Sequence, residues 1–289
     1  MKKALAITLV ITILFSFGAC TLKKGRVLIT GYGDMGGTLS ELPIEYYLQK
    51  KSKQIGDKNR TCSISIGGNV YTGKYVESLI SPYYKCDTDN YEYRDDTGLS
   101  VVFWINRDTN DLTSYGIGYL RGYEPPNDGS ETKSYEECRQ AALNELALRT
   151  NPDDYVPYNI EKSLRPMAGV YHFYFIKQIG GADTNDIVSI RINSDGSVRG
   201  FSALESPSID CSKDHSAAIE AYYSERSLEL LAEKIRSIYS DYDQDKLTWE
   251  ITDKYIIKLR SGRECVQFEI LVYPEGGTKK DFIELLLSV

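Results

Sequence analysis

The chain has 289 residues, with 34 Lys and Arg against 41 Asp and Glu, a formal net charge of −7. An acidic surface without a basic block repels phosphate backbones, which excludes nucleic acid as a partner class. Two histidines and the lack of any Cys-x-x-Cys pair leave a zinc site almost no ligands, and the length predicts two or three folded units.

The chain opens with Met1-Lys2-Lys3, an uncharged stretch from Ala4 to Ala19, and Cys20. A basic start, an apolar core and small residues before a break are the parts of a secretory signal peptide. The core is too short for a comfortable membrane span, which takes about 20 apolar residues. Its ending, Phe17-Gly18-Ala19-Cys20, resembles the lipobox of bacterial lipoproteins, with Phe17 where that family usually carries Leu, Val or Ile. The resemblance implies removal of residues 1–19 and acylation of Cys20 as the new N-terminus. The protein would then be held by its lipid on the extracytoplasmic face of the cell membrane; a plain signal peptide is the alternative. Removing two lysines and no acid takes the net charge from −7 to −9, so the lipid, not electrostatics, supplies the attachment.

Residues 20–60 read as a polar lead-in, with an apolar stretch from Arg26 to Thr30 and a predicted helix from Leu39 to Lys51. Gly31-Tyr32-Gly33-Asp34-Met35-Gly36 matches a dinucleotide fingerprint in letters alone. The next predicted strand, Thr61 to Ile66, ends in Gly67-Gly68 with no acid, and Pro43 interrupts the helix. The site's physics needs both a helix N-terminus and that acid. A glycine-rich tether is expected there, and no nucleotide, cofactor or metal.

A strand–turn–strand pattern then recurs. In residues 61–123, Val101 to Asp108 leads through Thr109-Asn110-Asp111 to Leu112 to Tyr115, after an earlier strand (Tyr91 to Arg94) and turn (Asp95 to Gly98). Glu124 to Gly129 reads as a linker. Residues 130–205 open on a capping box, Ser134 with Glu137 three residues on, and Cys138, Ala142 and Leu146 then share a helical face. Tyr171 to Lys177, Val188 to Asn193 and Ser197 to Phe201 follow as strands. Val188, Ile190 and Ile192 alternate with Ser189, Arg191 and Asn193, the period of a half-buried strand. A junction is placed near Ser206-Pro207-Ser208. Residues 209–289 repeat the order more weakly: an apolar stripe of Leu228, Leu231, Ile235 and Ile238 within His215 to Ser240, then strands at Lys254 to Leu259 and Val266 to Tyr273, recovering at Phe282. The predicted class is α+β, as tandem modules, each a helix packed on a small antiparallel sheet.

The run from Tyr171 to Val198, with its Gly181-Ala182-Asp183 and Ser194-Asp195-Gly196 turns, resembles the PepSY and PepSY-like modules of bacterial secreted proteins and protease propeptides. The resemblance covers residues 134–203 well, 215–285 partly, and 61–116 in the later strands. It implies an inhibitory or binding role outside the cytoplasmic membrane, and it supplies no catalytic residues.

Candidate chemistry is sparse. No Gly-x-Ser-x-Gly elbow is present. His172 alternates with apolar neighbours on a predicted strand, as a packed, hydrogen-bonded histidine would. His215 falls at a helix start, where exposure is expected. Asp241-Tyr242-Asp243-Gln244-Asp245 resembles half a calcium loop, but Lys246 and Thr252 stand where that loop needs Gly and Glu. Cys62–Cys86 could bridge, and free thiols fit equally well. Tyrosine, with 23 copies against 8 Phe, suits strands first and recognition surfaces second. The expected function is a membrane-anchored, extracytoplasmic, non-enzymatic binding protein whose partner is an envelope protein or peptide, an extracytoplasmic protease among them. The alternatives are a cell-envelope hydrolase acting on wall or glycan material and a structural wall-contact protein.

Overall fold

The computed structural model describes residues 27–31, 40–41, 52–54, 56–80, 86–119, 132–158, 169–203, 209–259, 262–275 and 281–289. The expected signal peptide, the expected lipidation site Cys20, the expected linker at 124–129 and the expected junction at 206–208 lie outside them. So does most of the helix expected at 39–51, of which Ser40–Glu41 is a strand instead.

The elements in chain order are β1 (Val27–Gly31), β2 (Ser40–Glu41), β3 (Ser52–Gln54), β4 (Thr61–Ile66), β5 (Asn69–Ile80), β6 (Thr88–Arg94), β7 (Leu99–Asn106), β8 (Leu112–Tyr119), α1 (Tyr135–Arg149), β9 (Tyr155–Tyr158), β10 (Val170–Ile179), β11 (Ala182–Asn193), β12 (Val198–Ala203), α2 (Ser216–Tyr223), α3 (Glu225–Ile238), β13 (Thr248–Lys258), β14 (Glu264–Tyr273) and β15 (Asp281–Ser288). Local chemistry accounts for many of the boundaries. Gly67 and Gly68 both take positive φ between β4 and β5, the backbone that a two-residue hairpin turn demands. Gly180 and Gly181 do the same between β10 and β11. The capping box at α1 forms: Glu137 N–H donates to Ser134 Oγ at 3.3 Å, and Ser134 N–H donates to Glu137 Oε2 at 2.8 Å.

The expectation of tandem modules with separate small sheets is overturned. The strands form one continuous mixed sheet in the order β2-β1-β15-β14-β13-β11-β12-β8-β7-β6-β5-β3, with β4 beside β5 and with β10, flanked by β9, beside β11. Two seams fuse what the sequence pattern separates. β12 pairs antiparallel with β8 (Gly200↔Gly116, Phe201↔Tyr115, Ser202↔Ser114), and β11 meets β13 in parallel at Thr184↔Ile256. A separate small sheet leaves a row of unpaired N–H and C=O groups at each edge; here the edge strand of one group satisfies that of the next. The largest core ignores the expected boundary as well. Cys138, Ala142 and Leu146 of α1 pack with Val101, Phe103 and Tyr115 from one side of the β8–β12 seam and with Val188, Ile190 and Phe201 from the other.

The stretch from His215 to Ser240 is two helices, not one. Ser224 ends α2 and caps α3, accepting from Arg226 N–H at 3.1 Å. Leu231 and Ile235 are buried as expected, while Leu228 is 41% exposed. Among the described residues no helix is long and apolar enough to cross a membrane.

Candidate functional site

Several sequence-level candidates resolve into structure. Cys20 lies outside the described residues, as do positions 32–36 of the glycine run. Gly31 closes β1, whose other neighbour, β2, is antiparallel and begins only nine residues on (Leu28↔Glu41, Ile29↔Ser40). That hairpin-like return has no room for the crossover helix of a dinucleotide unit. Asp243 accepts from Asp245 N–H at 3.1 Å and pairs with Lys246 at 3.1 Å, so the half calcium loop is a closed turn. Cys62, Cys86, Cys138, Cys211 and Cys265 are all thiols.

The two histidines exchange roles. His215 is buried, with Nδ1 at 2.8 Å from Glu264 Oε1 and Nε2 at 2.8 Å from the Asp210 carbonyl. His172 is the half-buried one, lacks a hydrogen-bond partner among the described residues, and has its pKa lowered by burial first and then by Arg191 and Arg199.

A cavity of about 80 Å³ opens where α1, β9 and β10 meet, lined by Tyr135, Arg139, Pro157, Tyr158, Phe173 and Tyr174. The rings are braced against one another: Tyr135 and Phe173 stand 5.6 Å apart, Tyr171 and Phe173 6.0 Å apart. The short strand β9 that forms its wall is pinned by its tyrosines. Tyr155 donates to Asp186 Oδ1 at 2.9 Å, and Tyr158 donates to Asp253 Oδ1 at 3.0 Å. Behind it, Lys177 and Asp186 form a buried ion pair at 3.2 Å, with Lys177 Nζ also 3.3 Å from the Ile209 carbonyl. These charges hold the wall in place.

Volume decides what the cavity can take. Pockets for cofactors and drug-sized ligands run to about 300–1,000 Å³, whereas this one is roughly half the size of an engineered apolar cavity that holds benzene. It fits one side chain. Strand addition at β9 is disfavoured, because that strand has only four residues and Pro157 carries no N–H.

Register assembles a second cluster that spacing along the chain does not reveal. Asp253, Glu269 and Glu284 face one another across β13, β14 and β15. Burial first, then Glu284 and Asp253, push the Glu269 carboxyl up to about 7. Because the folded chain holds this proton more tightly than the unfolded one, stability from this group is full below pH 4.5 and is lost as pH rises through about 7. Glu269→Gln is therefore expected to flatten the pH dependence of the urea midpoint. It should stabilise the protein at pH 8 by about 1–2 kcal/mol, after discounting for partial solvent screening.

No protein-family model matches the sequence, and no curated protein matches it. A solved structure, the Bacillus megaterium YpeB C-terminal domain, is similar over 83% of this chain and 87% of that chain, at 16% sequence identity and a TM-score of 0.34. A superposition that loose carries no argument about function.

Proposed function

We propose that this chain is a membrane-anchored, extracytoplasmic lipoprotein that binds a segment of an envelope protein or peptide without catalysing a reaction. The observation that carries this reading is the aromatic cavity between α1 and the β9–β10 edge: it is sized for one side chain, walled by rings that brace one another, and lined by Arg139, whose guanidinium pairs with Glu136. Aromatic rings with polar tips are the groups that recognition surfaces favour. The N-terminal stretch that reads as a signal peptide ending at Cys20 supports a location outside the cytoplasm, where such a partner is found. Side-chain insertion, rather than an added strand, is the mode of capture.

Site-specific photocrosslinking in cells tests this reading. A crosslinker at Pro157 or Tyr174 is expected to trap a discrete envelope protein, while one at Val70, which is 70% exposed on β5 and does not line the cavity, traps nothing above background. Equal adducts from all three positions would count against the reading.

The Asp253–Glu269–Glu284 row supports a second reading, a hydrolase of wall or glycan material, because a carboxyl with a raised pKa beside a carboxylate is what glycoside hydrolysis uses. Release of reducing ends from wall material by the purified protein, abolished in Glu269→Gln, would favour it over binding.

A further inference from the structure

The sheet face turned away from α1 carries a group of cations with no counter-charge among the described residues. Across four neighbouring strands the register aligns His172, Arg191, Gly200 and Gly116. Their chain neighbours Phe173, Ile190, Phe201 and Tyr115 point the other way, into the core beneath α1. Between Gly200↔Arg191 and Val198↔Ile192 the ladder shifts, leaving Arg199 as the extra residue of a bulge. A bulge of this kind re-aims a side chain and often marks a functional rim. Here it adds a second guanidinium near the first: Arg191 and Arg199 each lower the charge preference of His172, and Arg199 lowers that of Arg191.

The Arg191 guanidinium lies flat over two glycines. A Cβ on Gly200 would come within 2.8 Å of Arg191 Nε, and one on Gly116 within 3.0 Å of Nη2. Any other residue at position 200 would force the guanidinium off this seat. In the adjacent row, Ser189 faces Ser202. Elsewhere two enclosed cations are matched by acids, Arg149 with Glu145 and Lys177 with Asp186, and the half-buried Lys254 donates to the Tyr222 carbonyl at 2.7 Å. In a chain with 41 acids for 34 bases, neither Arg191 nor Arg199 has an ion-pair partner among the described residues. Burying part of a guanidinium beside like charges costs free energy that only an anion repays.

We propose that Arg191, Arg199 and His172 form a binding site for a small oxyanion, with two of its oxygens against the Arg191 fork and the imidazole and Arg199 closing on the remainder. A planar guanidinium with parallel N–H donors suits carboxylate and phosphate groups alike. The acidic remainder of the surface repels polyanions, which restricts the ligand to a free anion or a single anionic group. The site is separate from the aromatic cavity and does not depend on it.

Histidine NMR on the full chain in detergent micelles tests the proposal, since only two imidazoles are present and His215, held at both nitrogens, serves as the internal control. Inorganic phosphate is expected to shift the His172 resonances saturably and to raise its pKa by about one unit, with sodium chloride at matched ionic strength leaving both unchanged. Arg191→Gln should abolish the saturable response. Gly200→Ala should abolish it too while keeping every charge, with unchanged His215 resonances reporting an intact fold. Acetate producing the same response would assign the site to a single carboxylate, and a response to phosphate alone would assign it to the phosphate group; either supports the site. A response reproduced by chloride, one that persists in Arg191→Gln, or none to either anion overturns it.

Discussion

Replacing Cys20 with alanine is expected to move the protein from the membrane fraction to the soluble fraction and to abolish acyl labelling. The effect should be close to complete because lipid is the whole of the proposed attachment. Each buried methylene contributes about 0.8 kcal/mol, so two or three acyl chains hold firmly where one is marginal. The remaining chain would offer the membrane no electrostatic help: with Lys2 and Lys3 removed its net charge would be −9, which anionic headgroups repel. Fractionation with and without labelled fatty acid reads the outcome. Unchanged membrane association with label still attached in Cys20→Ala would remove the anchor from the account.

The largest stability effect is expected at Lys177. Its ammonium and the Asp186 carboxylate are both nearly enclosed, at 8% and 11% side-chain exposure, and Asp186 also accepts from Tyr155. Lys177→Met removes one charge and strands the other in a poorly solvated site, a change that costs about 3–5 kcal/mol. Burial and the Asp186 charge raise the Tyr155 pKa, so its hydroxyl stays a donor and cannot neutralise the carboxylate left behind. The double replacement Lys177→Met with Asp186→Asn should recover part of the loss, since no uncompensated charge then remains. Urea midpoints at pH 7 measure both, and a loss under about 1 kcal/mol in Lys177→Met would show that water reaches the pair.

Much of the local structure was legible in the residues. The alternation of Val188, Ile190 and Ile192 names a strand face that is fully buried. Ser134 with Glu137 marks the start of α1, and Ser194-Asp195-Gly196 marks a turn in which Asp195 accepts from Ser197 N–H at 2.7 Å. These signals are local: a period, a cap, a side chain bonding its own backbone. The β8–β12 and β11–β13 seams are of another kind. A strand's pattern states which face is buried but not which distant strand lies alongside, so the recurring strand–turn–strand units read as separate when their edges in fact join. The same blindness hid both side-chain clusters. Asp253, Glu269 and Glu284 are far apart in sequence and meet only through register, where a slip of one residue would send them to the other face. Arg199 reaches Arg191 only because a bulge interrupts the alternation. His172 sits among apolar neighbours, which suggested packing, yet the strand's period of two turns it away from them toward Arg191.

The proposed mode of capture seats one side chain of a partner between α1 and β10. Its most direct test is calorimetric titration of the full chain with a synthetic peptide covering the partner segment crosslinked at Pro157 or Tyr174. The wild-type protein is expected to bind it. Tyr135→Ala, which opens the cavity wall, and Arg139→Glu, which reverses the charge beside it, should each weaken binding about tenfold or more, a loss of about 1.4 kcal/mol. Equal affinity in the wild type and both variants would contradict the account.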